Sequence, residues 1–244
     1  MAKVVVITGA GSGFGRAIAR RLAADGESLI LLGRTLPKLQ RVADELRRGA
    51  CAVQCDVASP SSVRAAFTLI QQRYQLIDVL INNAGVYQPS FVRDASDDQI
   101  SSALLTNLGG PIYCSRAAIP LMRRGSHIIN IGSETVALPY AMFSLYQSTK
   151  AGLERFNAAL HDELSPDGIR VSLLRAGQMF DEDMTWDVDP AVLTRFSEEN
   201  LRRGIDVRAK PLSHFKSVTS LIRALIDSPP DLNVSMIVSE GRHP

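Results

Sequence analysis

The sequence predicts an α/β protein built as one doubly wound, parallel sheet of about seven strands with helices on both faces. Three observations carry that prediction. Short β-branched apolar runs alternate with longer amphipathic stretches from one end to the other, the signature of strands joined by crossover helices. The apolar runs are continuous, as in strands covered on both sides, and do not alternate with polar residues. Finally, 244 residues with 45% hydrophobic and 21% charged side chains suit a single globular domain of this class.

The expected strands are Val4–Thr8, Ser28–Leu32, Ala52–Cys55, Ile77–Asn82, His127–Ile131, Arg170–Leu174 and Val234–Val238. Helical periodicity fills the intervals at Gly13–Asp25, Pro37–Arg48, Ser61–Tyr74, Asp97–Arg124, Leu145–Ser165 and Ser213–Asp227. Pro37 suits a first helical turn, Ser59-Pro60 starts a helix, and Pro166-Asp167-Gly168 ends one. The stretch 177–204 shows no strong pattern, so it is expected to be an irregular flap within a single domain, 1–244.

Several function classes are excluded by composition. Lys plus Arg is 27 against 25 Asp plus Glu, a net charge of +2, and basic residues cluster only as pairs such as Arg47-Arg48 and Arg202-Arg203. No nucleic-acid partner is expected from so even a balance. No apolar run approaches the roughly 20 residues needed to span a bilayer, so no membrane partner is expected. The N-terminal run stops at Thr8-Gly9, short of the roughly 7–15 apolar residues of a signal peptide. Three cysteines, an odd number, read as reduced thiols, and Cys51 and Cys55 have no histidine beside them. A cytoplasmic protein without a metal site is the expectation.

The first strand runs into Thr8-Gly9-Ala10-Gly11-Ser12-Gly13-Phe14-Gly15 and then a helix. Glycines let a backbone approach a pyrophosphate, and the helix N-terminus offers free N–H groups and a favourable dipole. A tight turn with no ligand is the competing reading. After the second strand, where an acid would bind a ribose 2′-hydroxyl, the sequence has Arg34, which suits a 2′-phosphate. NADP is therefore the expected cofactor, with NAD possible, unless Arg34 is simply solvated.

Tyr146 and Lys150 are four residues apart at the start of a helix, on one face. A neighbouring ammonium favours the phenolate and would bring the phenol toward acid–base use. Ser133 ends the fifth strand, and strand C-termini are where open α/β sheets place ligands.

Taken together these motifs resemble the short-chain dehydrogenase/reductase family along nearly the whole chain. Thr8–Gly15, Asp56-Val57, Asn82-Asn83-Ala84-Gly85, Asn107, Ser133, Tyr146 and Lys150 fall in the family's order. The resemblance implies a Rossmann-type fold and an NAD(P)-dependent oxidoreductase acting on a ketone or secondary alcohol. It implies that Tyr146 exchanges the proton and that Lys150 lowers its pKa and holds the nicotinamide ribose. It implies that Ser133 orients the substrate oxygen and that Asn107 holds a water in a proton relay. Thr8, Gly9, Gly11, Ser12, Gly13, Phe14, Gly15, Asp56, Val57, Asn83, Ala84, Gly85, Ala176 and Gly177 would line the cofactor. A homotetramer or homodimer paired through the long fifth and sixth helices is also implied.

The chain departs from the family pattern in three places. Ala176-Gly177 stands where the family usually has Pro-Gly, with no threonine until Thr185; Glu134 directly follows Ser133; and the C-terminus lacks the frequent Asp-Gly-Gly. Tyr87, Tyr140, Phe143, Met179, Phe180, Met184 and Trp186 give the expected pocket an apolar, aromatic lining. That lining points to a small or medium apolar or cyclic compound. Five acids and no base lie between Gly177 and Pro190, which disfavours highly anionic substrates. The alternatives are a 3-oxoacyl-thioester reductase of the same family and, from another class, a non-catalytic cofactor-sensing or scaffold protein.

Overall fold

A computed structural model describes residues 2–46, 50–182, 184, 188–229 and 231–242. Arg47, Arg48, Thr185 and Trp186, named above, lie outside the described residues, as do two of the five flap acids, Asp183 and Asp187, and the C-terminal His243-Pro244. The described strands are β1 (Val4–Thr8), β2 (Ser28–Gly33), β3 (Cys51–Gln54), β4 (Val79–Asn82), β5 (His127–Ile131), β6 (Arg170–Ala176), β7 (Met179–Phe180), β8 (Ser213–His214) and β9 (Met236–Ser239). Seven of them form one parallel sheet in the order β3-β2-β1-β4-β5-β6-β9. The order reverses between β1 and β4, so their carboxyl ends open a crevice, the place where such sheets bind ligands.

The described helices are α1 (Gly13–Ala24), α2 (Leu36–Glu45), α3 (Pro60–Arg73), α4 (Asp97–Leu104), α5 (Gly110–Ala118), α6 (Ser144–Leu164), α7 (Pro190–Leu201) and α8 (Phe215–Asp227). Two apolar layers cover the sheet. One joins Ile18, Leu22, Leu39 and Ile222 to Val5, Ile7 and Leu31, burying faces of α1, α2 and α8. The other joins Phe67, Cys114, Leu160 and Leu164 to Val6, Ile30 and Leu80, burying faces of α3, α5 and α6. Strands covered twice over explain the continuous apolar runs. Among the described residues no helix is long and apolar enough to cross a membrane, and no group of His, Cys, Asp and Glu is arranged to hold a metal.

Three expectations are corrected. The single helix expected over Asp97–Arg124 is broken by a π-helical turn at Leu105–Gly109 and gives way to a 3₁₀ turn at Ile119–Leu121. Pro111 has no N–H to donate to the carbonyl of Asn107, so the i→i−4 ladder cannot pass straight through. The flap is not irregular throughout: Asp189 accepts a hydrogen bond from Ala191 N at 2.8 Å and caps α7, with Pro190 in its first turn. The helix expected from Ser213 begins instead at Phe215. Ser213 and His214 pair with Met179 and Phe180 in a two-stranded parallel ribbon, and His214 Nδ1 accepts from Lys216 N at 2.9 Å to cap α8.

Helix α7 is docked. Asn200, fully buried, accepts from Ala141 N at 2.9 Å and donates to Phe196 O at 2.8 Å. The Phe196 ring lies 4.5 Å from that of Phe143 and 6.2 Å from that of Tyr140, centroid to centroid. With Ala141 and Met142 these rings form a third, smaller core, set apart from the two layers on the sheet.

Candidate active site

The crevice between β1 and β4 is closed at its base by backbone contact. Thr8 Oγ1 accepts from Asn83 N at 2.9 Å and Ala84 N at 3.0 Å, and Asn83 Nδ2 donates to Thr8 O at 3.0 Å. That staple leaves no space at two glycines. A Cβ on Gly9 would lie 2.9 Å from Ala84 Cα, and one on Gly15 would lie 2.3 Å from Gly9 O and 2.5 Å from Asn83 Nδ2. Gly13 shares the left-handed backbone of Gly9, at φ +52° against +67°, but differs in space: nothing stands within 4 Å of a Cβ there. The first turn of α1 carries no acid, and Ser12 at its N-cap makes no capping bond. Open space at the Gly13 backbone beside an uncapped helix start fits a pyrophosphate.

Other cofactor candidates divide. Phe14 turns away into the core, its ring 5.5 Å from that of Phe215, leaving its backbone to the loop. Gly11 abuts Lys38, whose Cβ would lie 3.3 Å from an added Cβ. Lys38 and the exposed Arg34 therefore put two cations at this corner, at the end of β2 and on the first turns of α2. Lys38 escaped the sequence reading although it lies four residues beyond Arg34. Asp56 accepts from Ala58 N at 3.0 Å in a local turn, while Ser59 caps α3. The buried Val57 packs on Gly110. Alanine at position 176, where a proline is usual, lets β6 continue: Ala176 pairs with Ser239, and Gly177 N donates to Ser239 O at 2.7 Å. The N–H of Gly177 is thus committed to the sheet.

Asn107, Ser133, Tyr146 and Lys150 meet at the carboxyl ends of β4 and β5. Asn107 is fully buried in the π turn; its Oδ1 accepts from Val86 N at 2.8 Å, and its Nδ2 donates to Val86 O at 2.8 Å and Thr149 Oγ1 at 3.2 Å. A Cβ on Gly85 would stand 3.4 Å from Asn107 Oδ1 and 3.9 Å from Lys150 Nζ, so these groups border one space. Lys150 Nζ donates to Ile131 O at 2.7 Å and lies 5.8 Å from the centroid of the Tyr146 ring. Ser133 accepts from Thr135 N at 3.3 Å, shares a 3.0 Å bond with Thr135 Oγ1, and hydrogen-bonds the Tyr146 side chain.

Electrostatics here are set by burial. Desolvation lowers Lys150 to about 8. Burial raises Tyr146 above the usual phenol value, and the Ser133 hydrogen bond only partly offsets it. The expected lowering of the phenol by Lys150 is not what this geometry gives: the ammonium faces the Ile131 carbonyl, and burial outweighs the other influences. The Tyr87 ring stands edge-on to Tyr146 at 6.1 Å, and Phe143 lies 5.4 Å from it, whereas Phe180 of the expected lining packs on the His214 ring and Met179 and Met184 pack on the core beside α1 and α8.

Glu134, the departure beside Ser133, is buried; its Oε1 lies 3.6 Å from Lys210 Nζ. Nothing in the sequence separated Lys210 from the other basic residues of its stretch.

Comparison with known proteins agrees with this geometry. The short chain dehydrogenase family matches residues 3–192. The NADP-dependent 3-hydroxy acid dehydrogenase YdfG of Salmonella typhimurium is 36% identical over 179 residues, 71% of each chain. A short-chain dehydrogenase from Streptomyces avermitilis superposes with a TM-score of 0.85 at 28% identity, covering 98% of this chain and 88% of its own. Another from Burkholderia cenocepacia, in complex with NADP, gives 0.83 at 28% identity, covering 98% and 96%. The chain belongs to the short-chain dehydrogenase/reductase family.

Proposed function

We propose that this protein is an NADP-dependent reductase of a small or medium apolar or cyclic ketone, working also in reverse on the secondary alcohol. The observation that carries the reading is the convergence of Asn107, Ser133, Tyr146 and Lys150 on one space beside an uncapped, glycine-lined helix start. The NADP named for the Salmonella relative and the Burkholderia structure supports the cofactor, as do Arg34 and Lys38 at the corner beside Gly11.

The backbone of residues 11–15 would hold the pyrophosphate, Arg34 and Lys38 the 2′-phosphate, and Lys150 the nicotinamide ribose. When bound, the nicotinamide supplies or accepts the hydride. The protein's own work is to position and protonate. Ser133, its hydroxyl set by Thr135, hydrogen-bonds the substrate oxygen and orients it. Tyr146 gives that oxygen its proton; a phenol raised by burial keeps the proton until a stronger base forms beside it, which suits reduction. Lys150, at about 8, sits close to balance near neutral pH and can replace the proton, with Asn107 bordering the route out. Tyr87 and Phe143 supply the apolar surround for the substrate. The half-exposed Leu104, Leu105 and Ile112 on α4, the π turn and α5 support pairing of two copies, as in the expected oligomer.

Fluorescence titration with NADPH and NADH tests the reading first. Tighter NADPH binding is expected; binding of neither would overturn it in favour of a non-catalytic scaffold. Tyr146→Phe should then lower the rate of ketone reduction at least about 100-fold while NADPH still binds. A near-native rate would remove Tyr146 from the chemistry.

A further inference from the structure

Glu134 is an unusual neighbour for a substrate-binding serine, and its surroundings give it a task. It opens the 3₁₀ turn Glu134–Ala137 directly after Ser133, and it is only 8% exposed. Two separate segments stand beside its carboxylate, the end of β6 and the stretch that carries Lys210. Oε2 lies 3.3 Å from where a Cβ on Gly177 would be, at the end of β6, and that same Cβ would be 3.2 Å from Glu240 Cα in the C-terminal tail. Oε1 faces Lys210 Nζ at 3.6 Å. Lys210 belongs to the stretch between α7 and β8, and its ammonium also sits 5.3 Å from the centroid of the Tyr140 ring. Tyr140 in turn packs on Phe196 of α7. Among the described residues, Lys210 is the cation paired with Glu134.

Burying a carboxylate costs free energy that a cation held beside it offsets, and Lys210 is that cation for Glu134. Lys210 can stay close only while the segment behind α7 lies down on the Ser133 turn. We infer that Glu134 and Lys210 are a positioning pair that seats the covering segment on the Ser133 turn, so that closure of the cover and orientation of the Ser133 hydroxyl occur together. This rests on the reading of Ser133 as the group that orients the substrate oxygen. It adds a residue pair that the catalytic motif does not contain.

Hydrogen–deuterium exchange over 190–201, measured on the full chain with saturating NADPH, tests the pair beside steady-state kinetics. Lys210→Met should speed exchange in α7 at least about tenfold. It should also lower kcat about tenfold by loosening the serine turn, with the NADPH Kd changed less than about twofold. Lys210→Arg, which keeps the charge, should restore both, and Glu134→Lys combined with Lys210→Glu should recover most of the exchange protection. Unchanged exchange in Lys210→Met would overturn the inference. So would faster exchange that Lys210→Arg fails to restore, since packing and not charge would then hold the cover. The exchange comparison stands without turnover, so a protein that reduced no ketone would count against the proposed function and not against the pair.

Discussion

The two sides of the crevice are built by opposite means. On the β1–β4 side, main chain approaches main chain at Gly9 and Ala84 and at Gly15 and Gly9, stapled by the Thr8 and Asn83 side chains so closely that two glycine positions have no room for one carbon. On the β5–β6 side, ionisable side chains are buried: Lys150 against a carbonyl and Glu134 against the half-buried Lys210. The first side is limited by steric space and the second by charge. Steric limits make a site rigid and indifferent to pH. Buried charge makes it reactive and costs stability, because each ionised group has given up water.

The sharpest way to break the first side is Gly15→Ala. The new methyl would meet the Gly9 carbonyl and the Asn83 amide, and the carbonyl belongs to backbone that cannot swing aside. A loss of about 3 kcal/mol of unfolding free energy in urea is expected, with loss of NADPH binding. Stability within about 0.5 kcal/mol of the parent would show that the staple is looser than drawn.

Lys150→Met is the matching test on the second side, with stability and activity moving in opposite directions. Turnover should fall at least about 100-fold. Stability should rise by about 1–3 kcal/mol, because a desolvated ammonium is replaced by an apolar chain. The sign follows from linkage: the folded lysine titrates near 8, the unfolded one at its ordinary 10.5. Between those values only the unfolded state holds the proton, so the group's penalty fades as pH rises. The gain in Lys150→Met should therefore be full below pH 8 and vanish toward 10.5. A gain that ignores pH, or a loss near neutral pH, would place the cost elsewhere.

The same contrast explains what the sequence could show. Glycines at 9 and 15 and the pair Asn82-Asn83 are readable because close contact demands particular residue types at particular spacings, and Gly13 because a left-handed backbone favours glycine, wherever the rest of the chain goes. Tyr146 and Lys150 are readable because one helix turn joins them. Lys210 is not, since nothing local links it to Glu134, 76 positions away, and only the path of the flap brings the two together. The break at Leu105–Gly109 lies between these cases. Gly109-Gly110-Pro111 signals it, but apolar periodicity runs across it and hid the lost hydrogen bond. Helix α7 had its capping pair Asp189-Pro190 in plain view, beside acids that read more readily as loop.

Gly13→Ala sharpens the comparison within the glycine loop itself. Gly9 and Gly15 are required by the protein's own packing, whereas Gly13 faces open space at φ +52°. An alanine there meets no protein atom, so only the left-handed backbone resists it, at about 1 kcal/mol. If the open space is where the pyrophosphate approaches the backbone, the methyl obstructs the ligand and not the fold. NADPH affinity should then drop at least about tenfold, a loss of about 1.4 kcal/mol, while urea unfolding shifts by only the strain. Gly15→Ala should lose both together, and the separation of the two effects at Gly13 is what distinguishes a phosphate cradle from a tight turn. Unchanged NADPH affinity in a folded Gly13→Ala protein would return the loop to the plain-turn reading and move the anion site toward Ser12 and Lys38.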